Sequence, residues 1–108
     1  MLFCVSANFH QFRLEELEKF FIPKETLPKF VKRCQEKTLE ILILQTCNRI
    51  EIYYVSDKLI TKNFFWPEIP KVLLDRVVSY RQSQVANHLF RVGCAIESMA
   101  IGATLAQE

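Results

Sequence analysis

A chain of 108 residues, half of them hydrophobic and only two of them glycine, is long enough for one domain with a real core and is not a low-complexity segment. Its formal net charge is only +2 and its basic residues are scattered, which excludes an autonomous nucleic-acid footprint built on a clustered basic face. No apolar run reaches membrane-spanning length, and residues 1–8 lack a basic leader and a cleavage site, so neither a span nor a signal peptide is expected, and a cytoplasmic location is.

Leu2-Phe3-Cys4-Val5-Ser6 reads as a first strand, with Cys4 packed in it, and Asn8-Phe9-His10-Gln11 as the loop that follows. His10, in a polar loop, is expected to be solvated. Leu14, Leu17, Phe20 and Phe21 fit a short helix ended by Pro23. A second helix follows, with Thr26 as its cap, Pro28 in its first turn and Leu27, Phe30, Val31 and Cys34 on one face. Lys29, Lys32, Arg33 and Lys37 point the other way, as a solvated face.

Two strands then meet at a polar break. Leu39, Ile41 and Ile43, with Leu42 and Leu44, make a run apolar on both faces, as in a central strand, while Ile50, Ile52 and Tyr54 alternate with Glu51, Tyr53 and Val55, as in a strand with one wetter face. Between them Thr46-Cys47-Asn48-Arg49 forms the connection, where Asn48 tolerates the left-handed backbone of a tight turn. A cysteine displayed at a strand end beside an arginine is a candidate nucleophile, because the guanidinium favours the thiolate and can also grip a carboxylate with two prongs. The same four residues also fit an ordinary hairpin turn with a small packed cysteine and a surface arginine.

Residues 57–63 are mixed in pattern, and Phe64-Phe65-Trp66-Pro67 is expected to break any helix and to pack in the core or an interface. Pro70 to Arg76 fits one or two helical turns, and Val77 to Arg81 a last strand. Ser83 caps a final helix whose apolar stripe is Val85, Leu89, Val92, Ile96 and Met99, with His88 on its flank, Cys94 packed, and Arg91 and Glu97 at the surface. The four cysteines lie in a chain without a secretion signal and read as reduced thiols; no pair has metal-ligand spacing, so no metal site is expected.

The run Leu44-Gln45-Thr46-Cys47-Asn48-Arg49-Ile50-Glu51-Ile52-Tyr53 resembles the active-site signature of the glutamyl-tRNA reductases. A second match, in the right order, runs from His88-Leu89-Phe90-Arg91-Val92 through Ile96-Glu97-Ser98-Met99-Ala100-Ile101-Gly102. The resemblance covers nearly the whole chain, as the family's N-terminal catalytic domain. It implies thiolate attack by Cys47 on glutamyl-tRNA, with His88 assisting proton transfer. Thr46, Asn48, Arg49, Ser98 and Gln107 would bind substrate, and Glu51 and Asn8 would support the site. The resulting thioester would be reduced by NADPH to glutamate-1-semialdehyde for tetrapyrrole synthesis. It further implies a homodimer in the full-length protein and glutamate-1-semialdehyde aminomutase as a partner. A weak role for the basic helix face near the acceptor end of the tRNA is also compatible with it.

Some positions depart from the family. Gln11 stands where a hydroxyl residue is usual, Leu17 where an arginine is usual, and Ala103 where a glutamate is usual; residues 57–67 are shorter than the family's helical segment. There is no Gly-rich dinucleotide turn, so the NADPH-binding and dimerisation domains are expected to be absent from this chain. The element order predicts one α+β domain over residues 1–108: a ferredoxin-like sandwich, its antiparallel sheet carrying helices on one face plus a C-terminal helix. Two alternatives to catalysis stand beside this reading: a pseudo-enzyme or interaction domain that keeps the fold without turnover, and a redox-sensing thiol at Cys47.

Overall fold

A computed structural model describes residues 1–96 and 104–105, with side chains through Leu89. Strands β1 (Leu2–Asn8), β2 (Glu40–Thr46), β3 (Arg49–Val55), β4 (Val78–Arg81) and the two-residue β5 (Thr104–Leu105) form one sheet in the order β4-β1-β3-β2-β5. All four pairings are antiparallel. With the helices between them, the first four strands have the ferredoxin-like arrangement expected from the sequence. The short β5, against Leu42 and Ile43, is an addition that the sequence reading did not include.

Alternation along the strands sorts residues to two faces. Phe3, Val5 and Ala7 of β1, Ile41 and Ile43 of β2, and Ile50, Ile52 and Tyr54 of β3 enter the main core. They pack under α1 (Leu14–Leu17) with the 3-10 turn after it, α2 (Leu27–Cys34), α3 (Lys62–Phe65) and α4 (Lys71–Leu74). Complete burial of a residue such as Ile52 stabilises the fold by about 1.5–3 kcal/mol. The opposite face carries Cys4, Leu44 and Tyr53, and α5 (Ser83–Ile96) covers it by way of Val85.

Several local expectations need correction. Thr26 does not cap α2; its hydroxyl donates to the Pro23 carbonyl instead. Arg33 is not simply solvated: its guanidinium donates to the Phe64 carbonyl at 2.8 Å and lies 4.5 Å from the centre of the Phe64 ring. It thereby meets carbonyl groups that α3 leaves unpaired at its end. One helical turn does form at Lys62–Phe65, because Pro67 restricts only the residue before it, Trp66, where the turn stops. Phe65 and Trp66 are core residues, and the Trp66 indole donates to the Phe20 carbonyl at 3.0 Å.

The β2–β3 hairpin has a two-residue loop, Cys47-Asn48, and Asn48 does not use the left-handed region. Among the described residues, Gln82, between β4 and α5, is the non-glycine residue that does, at φ 54°. The stripe of α5 is also rotated from the expected one. Val85 and His88 face the sheet, while Leu89 is 41% exposed. Opposite this helix the sheet presents a carboxylate, and the histidine answers it better than a leucine would. The expected positions of Val92, Cys94 and Ile96 concern side chains outside the described set, and Glu97 and Met99 lie outside the described residues.

Candidate active site

The face of the sheet under α5 holds a buried polar row that begins with strand register. Ser6 on β1 lies opposite Glu51 on β3, and Asn8 lies opposite Arg49. Glu51 is fully buried, and both carboxylate oxygens are engaged. The Ser6 hydroxyl donates to Oε2 at 2.6 Å and the Tyr53 hydroxyl to Oε1 at 2.7 Å. Nε2 of His88 lies 2.5 Å from Oε2, and the Arg49 guanidinium 3.5 Å from it. Burial opposes ionisation of Glu51, but the hydrogen bonds from His88, Ser6 and Tyr53 outweigh it and hold the carboxyl below the usual carboxylate range.

His88 is held in two directions. Glu51 fixes it in the plane of the ring, and the Tyr80 ring stacks on its face with centroids 4.2 Å apart and planes 16° from parallel. The histidine is buried, not half-turned to solvent as its place on the helical wheel suggested. A neutral imidazole donating from Nε2 to the carboxylate keeps Nδ1 as its acceptor, the arrangement by which a carboxylate sets a tautomer.

The hairpin tip is built differently. Cys47 and Asn48 are exposed, and the Asn48 amide donates to the Thr46 hydroxyl at 3.2 Å, so Thr46 shapes the turn. Asn8 ties β1 to the tip: its side chain donates to Ser6 and accepts the His10 amide, while the amide of Phe9 donates to the Asn48 carbonyl. Cys47 opens toward the helical layer, into a shallow cleft of about 220 Å³ lined by Leu14, Leu17, Glu18, Phe21, Thr46 and Ile50. Leu17, buried where the resembling family has an arginine, makes that cleft apolar. Gln11 carries the one buried side-chain polar atom without a hydrogen-bond partner among the described residues.

Asn8, Arg49, Glu51 and His88 are therefore brought into one network under α5, while Thr46, Cys47 and Asn48 form the adjoining hairpin tip, from which Cys47 opens to the other face of the sheet. Ser98, Ala103 and Gln107 lie outside the described residues. Residues the sequence reading left without a role complete the picture. Ser6 and Tyr53 satisfy Glu51, Tyr80 backs His88, and the buried Gln45 amide both accepts from and donates to the backbone of Ile22, at 2.7 and 3.0 Å. The signal for Ser6 was available: in Leu2-Phe3-Cys4-Val5-Ser6-Ala7-Asn8, the polar residues fall on one face of a strand. Cys4 joins the same face. Its thiol is pushed above the usual range by burial and then by the Glu51 charge. Cys4, Glu51 and His88 are the one group of three possible metal donors that meet among the described residues.

Comparison with known proteins agrees with this architecture. The family model described as "Glutamyl-tRNAGlu reductase, N-terminal domain" matches residues 5–105. The glutamyl-tRNA reductase of Bacillus subtilis (strain 168) is 36% identical over 110 residues, which cover 93% of this chain and 24% of that protein. The glutamyl-tRNA reductase of Limosilactobacillus reuteri (strain DSM 20016) is 35% identical over 111 residues, covering 94% and 26%. The solved structure of glutamyl-tRNA reductase from Methanopyrus kandleri matches with a TM-score of 0.67 at 25% identity, over 90% of this chain and 23% of that one. The chain thus spans about a quarter of the length of these relatives.

Proposed function

The chain belongs to the glutamyl-tRNA reductase N-terminal domain family, and from that premise we propose that it carries out the acyl-transfer half of glutamyl-tRNA reduction. Cys47, as thiolate, attacks the ester carbonyl that joins glutamate to tRNA. The carbon–oxygen bond to the tRNA breaks, the tRNA hydroxyl takes a proton delivered by way of His88, and the glutamyl group remains as a thioester on Cys47. Arg49 holds the free carboxylate of the glutamyl group, with Thr46, Asn48, Ser98 and Gln107 adding hydrogen bonds. Glu51 orients His88 and, with Asn8, braces the hairpin. One observation carries this reading: an exposed Cys47 sits at the tip of a hairpin whose next strand sets Arg49 and Glu51 in line with a buried, stacked His88.

The described residues include no Gly-rich turn between a strand and a helix. Gly93 lies within α5, not in a turn after a strand, and the sequence holds only one other glycine, Gly102. NADPH, the glutamate-1-semialdehyde aminomutase contact and homodimerisation are accordingly assigned to the longer protein of which this family domain is one part. The test is to incubate the chain with labelled glutamyl-tRNA, with and without NADPH, and to map the adduct by mass. Label on Cys47 that is indifferent to NADPH is the expected result; no label on Cys47 overturns the reading.

A second reading, a domain that keeps the fold without turnover, is favoured by one pair of features. Leu17 makes the Cys47 cleft apolar, and Gln11 leaves a buried oxygen unpaired. The same incubation separates the two, because such a domain folds normally yet leaves Cys47 unlabelled.

A further inference from the structure

We propose that Cys4, Glu51 and His88 form a binding site for a borderline-soft divalent cation, of which Zn²⁺ is the type. The three donor atoms (a thiol sulfur, a carboxylate oxygen and an imidazole nitrogen) lie within 4.8 Å of one another, and all three residues are buried. They come from three elements, β1, β3 and α5, that no covalent proximity brings together. The register explains the meeting: Cys4 lies opposite Tyr53 and Ser6 opposite Glu51, so Cys4 and Glu51 are diagonal neighbours on one face, and α5 lowers His88 onto them.

The donor set selects the ion. One sulfur, one nitrogen and one oxygen suit Zn²⁺ or Co²⁺, whereas Mg²⁺ and Ca²⁺ require shells made of oxygen. Zinc–donor distances of about 2.0–2.3 Å place the donors of a tetrahedral site roughly 3–4 Å apart. The His88–Glu51 contact of 2.5 Å must open slightly to reach that range, while no pair of the three donors is more than 4.8 Å apart. On binding, the Cys4 S–H bond breaks and its proton leaves to solvent, the His88 proton moves from Nε2 to Nδ1, and thiolate plus carboxylate bring two negative charges to the dication, the carboxylate being shared with the Arg49 guanidinium 3.5 Å away. No electron is transferred. Ser6 and Tyr53 remain on Glu51 as outer hydrogen bonds, the kind of support that orients metal ligands.

An ion there ties three elements together and occupies the histidine nitrogen that Glu51 now holds. Binding stands independently of the acyl-transfer reading; only its consequence, inhibition by removing His88 from proton transfer, rests on it. The test uses Co²⁺ as probe on the full chain after chelator treatment. A thiolate-to-cobalt charge-transfer band with tetrahedral visible absorption is expected, together with a rise in melting temperature. The band is expected to disappear in Cys4→Ala and to persist in Cys47→Ala. X-ray absorption of the zinc-loaded parent protein, which needs no variant, should give one sulfur among nitrogen and oxygen neighbours. A sulfur-free shell, or a charge-transfer band that survives Cys4→Ala, overturns the proposal, as does the lack of any band. None of these readouts requires glutamyl transfer, so a failure here and a failure of the acyl-transfer reading are told apart.

Discussion

The two faces of the sheet are made by the same strands and even by neighbouring residues, yet they follow different rules. Ile50, Ile52 and Tyr54 enter a core of aliphatic and aromatic side chains, where shape decides. Between them, Arg49, Glu51 and Tyr53 turn to α5 and enter an interior where hydrogen bonds decide. A buried carboxylate stays ionised there because a histidine, a serine and a tyrosine all point at it. The dry face specifies the fold. The polar face costs stability unless each partner is present, which is the pattern expected where a protein keeps polar groups inside for a purpose.

The largest effect that would sharpen this contrast is on the dry face. Ile52→Ala should cost about 2–5 kcal/mol of stability, read from chemical denaturation, since it deletes fully buried methyl groups. A loss well under that range would mean the core relaxes around the cavity. Arg49→Lys comes next and acts on chemistry: it keeps the charge but loses the planar fork, so glutamyl transfer should fall by an amount equivalent to about 1.5–3 kcal/mol, the worth of a charge-assisted hydrogen bond. Alkylation of Cys47 by iodoacetamide should change far less. A lysine variant that accepts glutamate as well as the parent removes Arg49 from carboxylate binding.

Glu51→Gln should cost about 1–3 kcal/mol of stability by unbalancing a buried network. If the polar face were ordinary packing, this near-isosteric change would be silent. The smallest effect lies outside both faces. Hydrogen bonds from Arg76 and then from the Arg13 backbone lower the Glu16 carboxyl from 4.5 to about 2. Because the folded value is depressed, this contribution is present above the ordinary carboxylate pKa and is lost as pH falls from about 4.5 toward 2. Arg76→Ala should therefore narrow its stability gap to the parent on acidification, a small change since the pair lies at the surface with Arg76 exposed; a gap that widens would contradict the assignment.

Much of this was legible in the sequence, and the limits have physical causes. Apolar runs revealed β1 and β2, period-2 alternation revealed β3, and the polar break between β2 and β3 marked Cys47 as displayed. What alternation cannot reveal is a polar residue buried because a distant element supplies its partner. Glu51 looked like the wetter side of a strand, and His88 like a helix flank, because 37 residues separate two groups that meet at 2.5 Å. The same blindness hid Arg33, which local spacing placed in solvent and the carbonyls of α3 draw onto the Phe64 ring. Asn48 misled in the other direction, since tolerance of a left-handed turn does not require one when two residues of ordinary backbone close the hairpin.

The central claim is that the polar face serves chemistry at Cys47 while the dry face serves only the fold. Single-turnover acylation of Cys47 by labelled glutamyl-tRNA, compared in Glu51→Gln and Ile52→Val, tests it most directly. Ile→Val costs only about 0.5–1.5 kcal/mol, and the rate of each variant is taken per folded molecule, with folding checked by circular dichroism. The acylation rate should drop by about 10²-fold in Glu51→Gln, the lower end of what a positioned proton carrier contributes, and stay at the parent level in folded Ile52→Val. Equal rates in the two variants would contradict the account.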